Sequence, residues 1–199
     1  IDQNVDIINL SLGISADQIS DGDIRSFREA IEEAESENIV IIAAAGNSSS
    51  IQYPARYPET IAVGAVDINN QVTSYSPADS RIDLVAPGGD DTTGILSTWG
   101  YYDGADYNPA YNYMNGTSMA SAYVSGAAAL LLEAGVSPLD IKNRLSSTAV
   151  DLGDQGKDDD YGHGLLDVYG ALLNERIGAP YVFAATIAGD QITIESNST

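Results

Sequence analysis

The chain contains no cysteine. That removes disulfides, thiol nucleophiles and cysteine-ligated zinc together. It contains one histidine, His163, so a multi-histidine metal site is excluded as well. Basic residues are nearly as scarce. Eight Lys and Arg stand against 29 Asp and Glu, the net charge is −21, and the only lysines are Lys142 and Lys157. Such a surface repels nucleic acid and anionic lipid, so neither nucleic acid nor a membrane is expected as a partner. It suits a protein kept soluble in high salt, ahead of one that holds specific cations. No apolar run reaches the length of a membrane span. The chain opens on Ile1 rather than Met, so upstream sequence is expected and the lack of a targeting segment carries no information on localisation.

What is present is enough apolar material for a real core in about one domain: 199 residues, 44% hydrophobic. "VDIINLSLG" (5–13) reads as a short buried strand ending at Gly13. "IVIIAAAG" (39–46) is a second, β-branched and apolar on both faces; "TIAVGAVD" (60–67) and "RIDLVAPG" (81–88) are two more. Between the first two, residues 20–38 place Ile24, Phe27, Ala30, Ile31 and Ala34 at helical spacing with acids on the other face. Strands without polar alternation and a helix between them predict an α/β fold, a parallel sheet sandwiched by helices. Residues 88–116, rich in Gly, Tyr, Asp and Asn, read as a long functional loop. Helices are predicted after Ser118, over 137–149 with Ser137 as N-cap and Pro138 at the first helical position, and over 164–174. Residues 181–196 alternate around Ala188-Gly189-Asp190 and predict a β-hairpin.

"NGTSMASAYVSGAAALLL" (115–132) runs from a polar turn straight into a small-residue and leucine stretch. The first N–H groups of a helix have no intrahelical partners. A hydroxyl nucleophile at that point, Ser118, would have donors ready for an oxyanion. Taken alone the stretch favours a simpler reading, in which Asn115, Thr117 or Ser118 is an N-cap.

Several stretches together resemble the subtilisin-like serine protease family, the subtilases. "NGTSMAS" (115–121) is similar to its nucleophile motif, "AAAGN" (43–47) to the strand end carrying its oxyanion asparagine, and "INLSLG" (8–13) to its substrate-pairing segment. "YPARYPETIAVGAVD" (53–67), "DLVAPGG" (83–89) and "YGHGLLDVYGAL" (161–172) match further signatures, in family order, from residue 5 to about 173. One such match would be weak; six in order are specific.

The resemblance implies roles. Ser118 would form the acyl-enzyme and Asn47 would donate its amide to the oxyanion together with the Ser118 N–H. Ser11, Leu12 and Gly13 would present backbone to an extended substrate. Ala44, Ala45 and Gly46 would line the specificity pocket. The family's catalytic Asp (in D-[ST]-G) and His (in H-G-T-H) lie upstream of the "NLSLG" segment, and neither motif is in this chain. Residues 1–176 therefore correspond to the C-terminal portion of the catalytic domain, and 177–199 to an extension. The implied function is a secreted, extracellular serine endopeptidase acting on protein or peptide substrates. Its Asp and His would be supplied by the upstream half of the same domain, leaving this fragment alone inactive. His163 follows the serine, in a turn whose middle residue varies in the family. Ala122-Tyr123 stands where the family usually has Pro-His, outside the catalytic machinery. The alternatives are a non-catalytic subtilase-like scaffold or binding module, and a sedolisin-like acid protease, against which Asn47 and the N-G-T-S-M-A pattern argue. No cofactor is required for the chemistry. Structural calcium is a family expectation, with Asp90, Asp91, Asp103, Asp106 and Asp158 to Asp160 as candidate carboxylates and no ligand set assigned.

Overall fold

The computed structural model describes residues 5–104, 106–174, 182–188 and 191–197. Four strands form one parallel sheet: β1 (Ile7–Leu10), β2 (Val40–Ala44), β3 (Ile61–Val66) and β4 (Leu84–Pro87), in that spatial order. The registers begin Ile7 opposite Val40, Ile42 opposite Ile61 and Val63 opposite Leu84. The expected α/β architecture is what the chain adopts.

The unalternating sequence of β2 follows from its burial on both sides. Val40 and Ile42 pack toward α2 (Thr117–Glu133), α3 (Pro138–Thr148) and α4 (Val168–Leu173). Ile39 and Ile41 pack toward Ile31 and Ala34 of α1 (Asp21–Ser36). The buried face of α2 carries Ala120, Val124, Ala127, Ala128 and Leu131. Its small residues bring the helix close over the sheet, and complete burial of Leu131 contributes roughly 1.5–3 kcal/mol.

The two edges of the sheet differ. β4 is covered by the run 163–166: His163 N–H donates to Asp83 O at 2.8 Å, Val85 N–H to Gly164 O at 3.0 Å and Leu166 N–H to Val85 O at 2.9 Å. β1 has no partner on its outer side among the described residues. Its side chains are half-buried and Asn9 is exposed, which corrects the expectation of a buried strand. The α1 face is likewise only part-covered, with Phe27 40% exposed and Ala30 exposed.

Three further expectations are corrected. The long loop contains an antiparallel hairpin, β5 (Ile95–Tyr102) and β6 (Tyr107–Met114). Both of its faces carry large exposed side chains, so no polar alternation announced it. The helix expected over 164–174 begins only at Val168. Leu165 bridges to Val85 and Val150 instead, and Asp167 caps the helix by accepting from Gly170 N–H at 2.8 Å. Finally, the N-cap of α2 is Gly116, with no side-chain cap, so Asn115, Thr117 and Ser118 are not its caps. Ser137 and Pro138 do open α3 as expected. The C-terminal strands β7 (Val182–Ala188) and β8 (Gln191–Asn197) pair antiparallel; the expected boundary at 176–177 lies outside the described residues. No single helix among the described residues is long and apolar enough to cross a membrane.

Candidate active site

β1 and β2 end at the same side of the sheet, and α2 starts there. Gly46 follows β2 at φ +107°, a conformation that favours glycine, and this turns Asn47 out of the core to the surface. Asn47 Oδ1 accepts from both Thr117 N–H at 2.9 Å and Thr117 Oγ1 at 3.0 Å. Thr117 is completely buried, and its Oγ1 also accepts from Gly46 N–H at 3.1 Å. The oxygen end of the Asn47 amide is thereby fixed, which leaves its Nδ2 donors without an acceptor among the described residues. Those donors lie at the helix start: a Cβ on Gly116 (φ +148°) would stand 3.0 Å from Asn47 Nδ2.

Ser118 is half-buried in the first turn of α2, where N–H groups lack intrahelical acceptors. Its own N–H finds none among the described residues. Its Oγ donates to Ser11 O at 3.2 Å, and Ser11 Oγ donates back to Ser118 O at 2.9 Å. Sequence, fold and hydrogen bonding thus bring Ser11, Asn47 and Ser118 to one place. A hydroxyl, an amide with free donors and a free backbone N–H are the components of acyl transfer with oxyanion stabilisation.

Leu12 and Gly13 continue from Ser11 along the surface, with Leu12 52% exposed. A Cβ on Gly13 would meet Gln52 Oε1, so the glycine lets this segment lie against the next one. Ile14 then pairs with Tyr53, N–H to O at 2.9 and 3.0 Å. Ala44, Ala45 and Gly46 are buried, and Ala45 packs with Ile51 and Ala55.

Asn9, Ser121 and Ser125 went unrecognised in the sequence. Asn9 Nδ2 donates to Ser11 Oγ at 2.9 Å, Ser125 Oγ donates to Asn9 Oδ1 at 3.0 Å, and Ser121 Oγ donates to Ser118 O at 3.0 Å. This polar seam ties β1 to α2. The available signal was the hydroxyl stripe 118, 121, 125 along an otherwise Ala/Leu helix.

His163 lies elsewhere. Its N–H binds Asp83 O, at the amino end of β4, whereas Gly116 N–H binds Gly88 O, just past the carboxyl end. The five intervening steps of strand span roughly 16 Å at about 3.3 Å per residue. His163 lines a cleft of about 580 Å³ there with Asp83, Lys142 and Arg144, remote from Ser118.

Two of the candidate carboxylates for calcium, Asp158 and Asp90, are engaged by backbone N–H groups of their own loops. Asp158 Oδ1 accepts from Asp160 and Tyr161 N–H, and its Oδ2 from Asp154 N–H. Asp90 Oδ1 accepts from Thr93 and Thr92 N–H at 2.6 and 2.7 Å, and these bonds hold its carboxyl below the usual carboxylate range. Among the described residues no three Asp, Glu, His or Cys side chains are grouped as a metal ion requires, so no ligand set is assigned.

The family model described as "Subtilase family" matches residues 1–164. The chain belongs to the subtilase family. Subtilisin DY of Bacillus licheniformis is 39% identical over 84% of this chain and 57% of its own length. Subtilisin E of Bacillus subtilis is 41% identical over 86% of this chain and 42% of its own length. The halolysin of Haloferax mediterranei is 39% identical over 76% and 27% respectively. Among solved structures, a lanthipeptide protease superposes with a TM-score of 0.72 at 25% identity, covering 85% of this chain and 61% of that one. A protease of Pseudoalteromonas arctica gives the same TM-score at 32% identity, covering 85% and 51%. The chain thus spans about half the length of the curated relatives it matches.

Proposed function

We propose that this subtilase chain is the nucleophile-bearing part of a serine endopeptidase cleaving protein or peptide substrates. Ser118 attacks the scissile carbonyl, and its proton goes to a histidine outside this chain. The tetrahedral oxyanion is held by Asn47 Nδ2 and the Ser118 N–H. Collapse expels the amine and leaves an ester on Ser118, which water then hydrolyses by the same steps. The single observation that carries this reading is the pair of donors at the start of α2, Asn47 Nδ2 and the Ser118 N–H, that have no acceptor among the described residues, with the Asn47 oxygen already pinned by Thr117.

The base and its aspartate come from an upstream half of the domain. The unpaired outer edge of β1 supports this, since exposed edges are otherwise covered in native folds. So does the α2 surface beside it, where Ala122, Tyr123, Gly126, Ala129 and Leu130 are exposed and uncharged. His163 does not serve as base, because it sits at the far end of the sheet. Secretion follows as the family's habit, and the −21 charge suits salt-rich surroundings. The test is hydrolysis of a peptide ester by the protein carrying its upstream half. Turnover lost on Ser118→Ala supports the endopeptidase; absence of turnover in the parent leaves the non-catalytic scaffold.

A further inference from the structure

The hairpin β5–β6 leaves the site directly: β6 ends at Met114, four residues before Ser118. Its root is fastened on the β4 side, by Gly116 N–H to Gly88 O at 2.9 Å and Asn115 Nδ2 to Asp91 Oδ1 at 3.1 Å. Ser11–Gly13 approaches Ser118 from the β1 side. The two segments therefore flank the nucleophile from opposite sides.

The cross-strand register defines one face of the ribbon. Leu96 opposes Tyr113, Thr98 opposes Tyr111, Gly100 opposes Pro109 and Tyr102 opposes Tyr107. Opposed residues share a face, and alternate pairs share it too. Four tyrosines accordingly line this side, 76%, 54%, 62% and 63% exposed at positions 102, 107, 111 and 113. Their order is built in. Tyr102 and Tyr107 meet edge to face at 5.5 Å, and Tyr107 lies across Gly100, where a Cβ would overlap its ring. The face runs about 20 Å, room for roughly six residues of extended chain.

Charge and backbone indicate the occupant. In a chain of net charge −21, residues 92–102 and 107–114 carry no charged side chain. The ribbon has only two strands, so each outer edge offers unpaired N–H and C=O groups among the described residues. An extended polypeptide uses both features, stacking on the rings and pairing with an edge. A glycan would use the rings alone.

We infer that the tyrosine face of β5–β6 binds the arm of an extended substrate polypeptide that leaves Ser118 on the side opposite Ser11–Gly13, and that it selects aromatic and aliphatic residues along that arm. This rests on the endopeptidase reading above.

The experiment uses the enzyme with its upstream half. Quenched fluorogenic peptides share one cleavage core and are extended by six residues on one arm or the other, with either a Tyr/Leu or a Gly/Ser extension. The parent should prefer the Tyr/Leu extension on one arm only. Tyr111→Thr and Tyr102→Thr, which keep β-forming residues in the ribbon, should lower that preference about tenfold in kcat/KM, mainly through KM. An equal fall on both extensions, or no preference in the parent, overturns the inference. A parent inactive on every peptide and on a small ester instead removes the endopeptidase reading itself. As a readout independent of turnover, Ser118→Ala enzyme should bind a fluorophore-labelled Tyr/Leu-extended peptide, read as a rise in the peptide's fluorescence anisotropy, and Tyr111→Thr should weaken that binding about tenfold. Equal binding by the two Ser118→Ala proteins also overturns the inference.

Discussion

The two ends of the parallel sheet handle polar groups in opposite ways. At the amino end, Asp83 is buried and its Oδ2 is engaged twice: it accepts from Ala62 N–H at 2.9 Å and pairs with Lys142 Nζ at 2.9 Å. Lys142 also donates to Thr60 O at 2.8 Å and Pro58 O at 3.2 Å. At the carboxyl end, Thr117 and Ser11 hydrogen-bond the groups that position Asn47 and Ser118, while Asn47 Nδ2 and the Ser118 N–H have no acceptor among the described residues. One end spends its hydrogen bonds on holding α3 to the sheet. The other spends them on keeping a few donors unspent, which is how preorganised donors act on charge that develops only during reaction.

That contrast can be broken from either end. Asn47→Ala, in the enzyme with its upstream half, should lower kcat by about 10²–10³ with KM little changed. This is the range found on subtilisin for such a donor, not a magnitude derived from this geometry. Steady-state kinetics decide, and an unchanged kcat removes Asn47 from the oxyanion site. At the other end, Lys142→Met strands the Asp83 carboxylate. Because Lys142 is partly exposed, the cost should fall at or below about 3 kcal/mol of unfolding free energy, with kcat per folded molecule retained. Denaturant titration and kinetics measure the two separately.

Thr117→Val touches the support of the donors rather than the donors. It leaves Gly46 N–H buried without an acceptor, at about 1–3 kcal/mol. Loosened placement of Asn47 should cost roughly tenfold in kcat, less than Asn47→Ala. The smallest effect concerns acid. Asp79 is held below the usual range first by its hydrogen bond from Arg81, and Asp90 by Thr93 and Thr92 N–H. A lowered carboxylate pKa favours the fold above the ordinary Asp value, and this contribution is lost as pH falls through the folded-state value. Melting temperature should therefore drop below about pH 4. Asp90→Asn should flatten that drop slightly, and an equal drop in the variant rejects the assignment.

Sequence pattern carried the parallel sheet, α1, α2 and α3, because buried apolar runs and glycine turns are local signals, whereas the pairing of Ser118 with Asn47, 71 positions apart, was legible only through the ordered motifs of the family resemblance. Three things were not local. β1 reads as buried because its composition is that of a strand inside a wider sheet, whereas its outer side has no partner among the described residues. The β5–β6 hairpin is exposed on both faces, so its sequence has no apolar-in, polar-out rhythm to detect. The seam of Asn9, Ser121 and Ser125 joins residues more than a hundred positions apart, and only the fold brings them together.

The most direct measurement is covalent labelling of Ser118 by a fluorophosphonate, read as a mass shift. The 199-residue chain is compared with the same chain supplied with its upstream half. The chain by itself should label negligibly, since no imidazole reaches Ser118 and the free donors alone leave only residual catalysis. The upstream half should restore rapid, stoichiometric labelling, and Asn47→Ala should slow it. Rapid labelling of the lone chain would contradict this, as would a complete enzyme whose Ser118 stays unmodified.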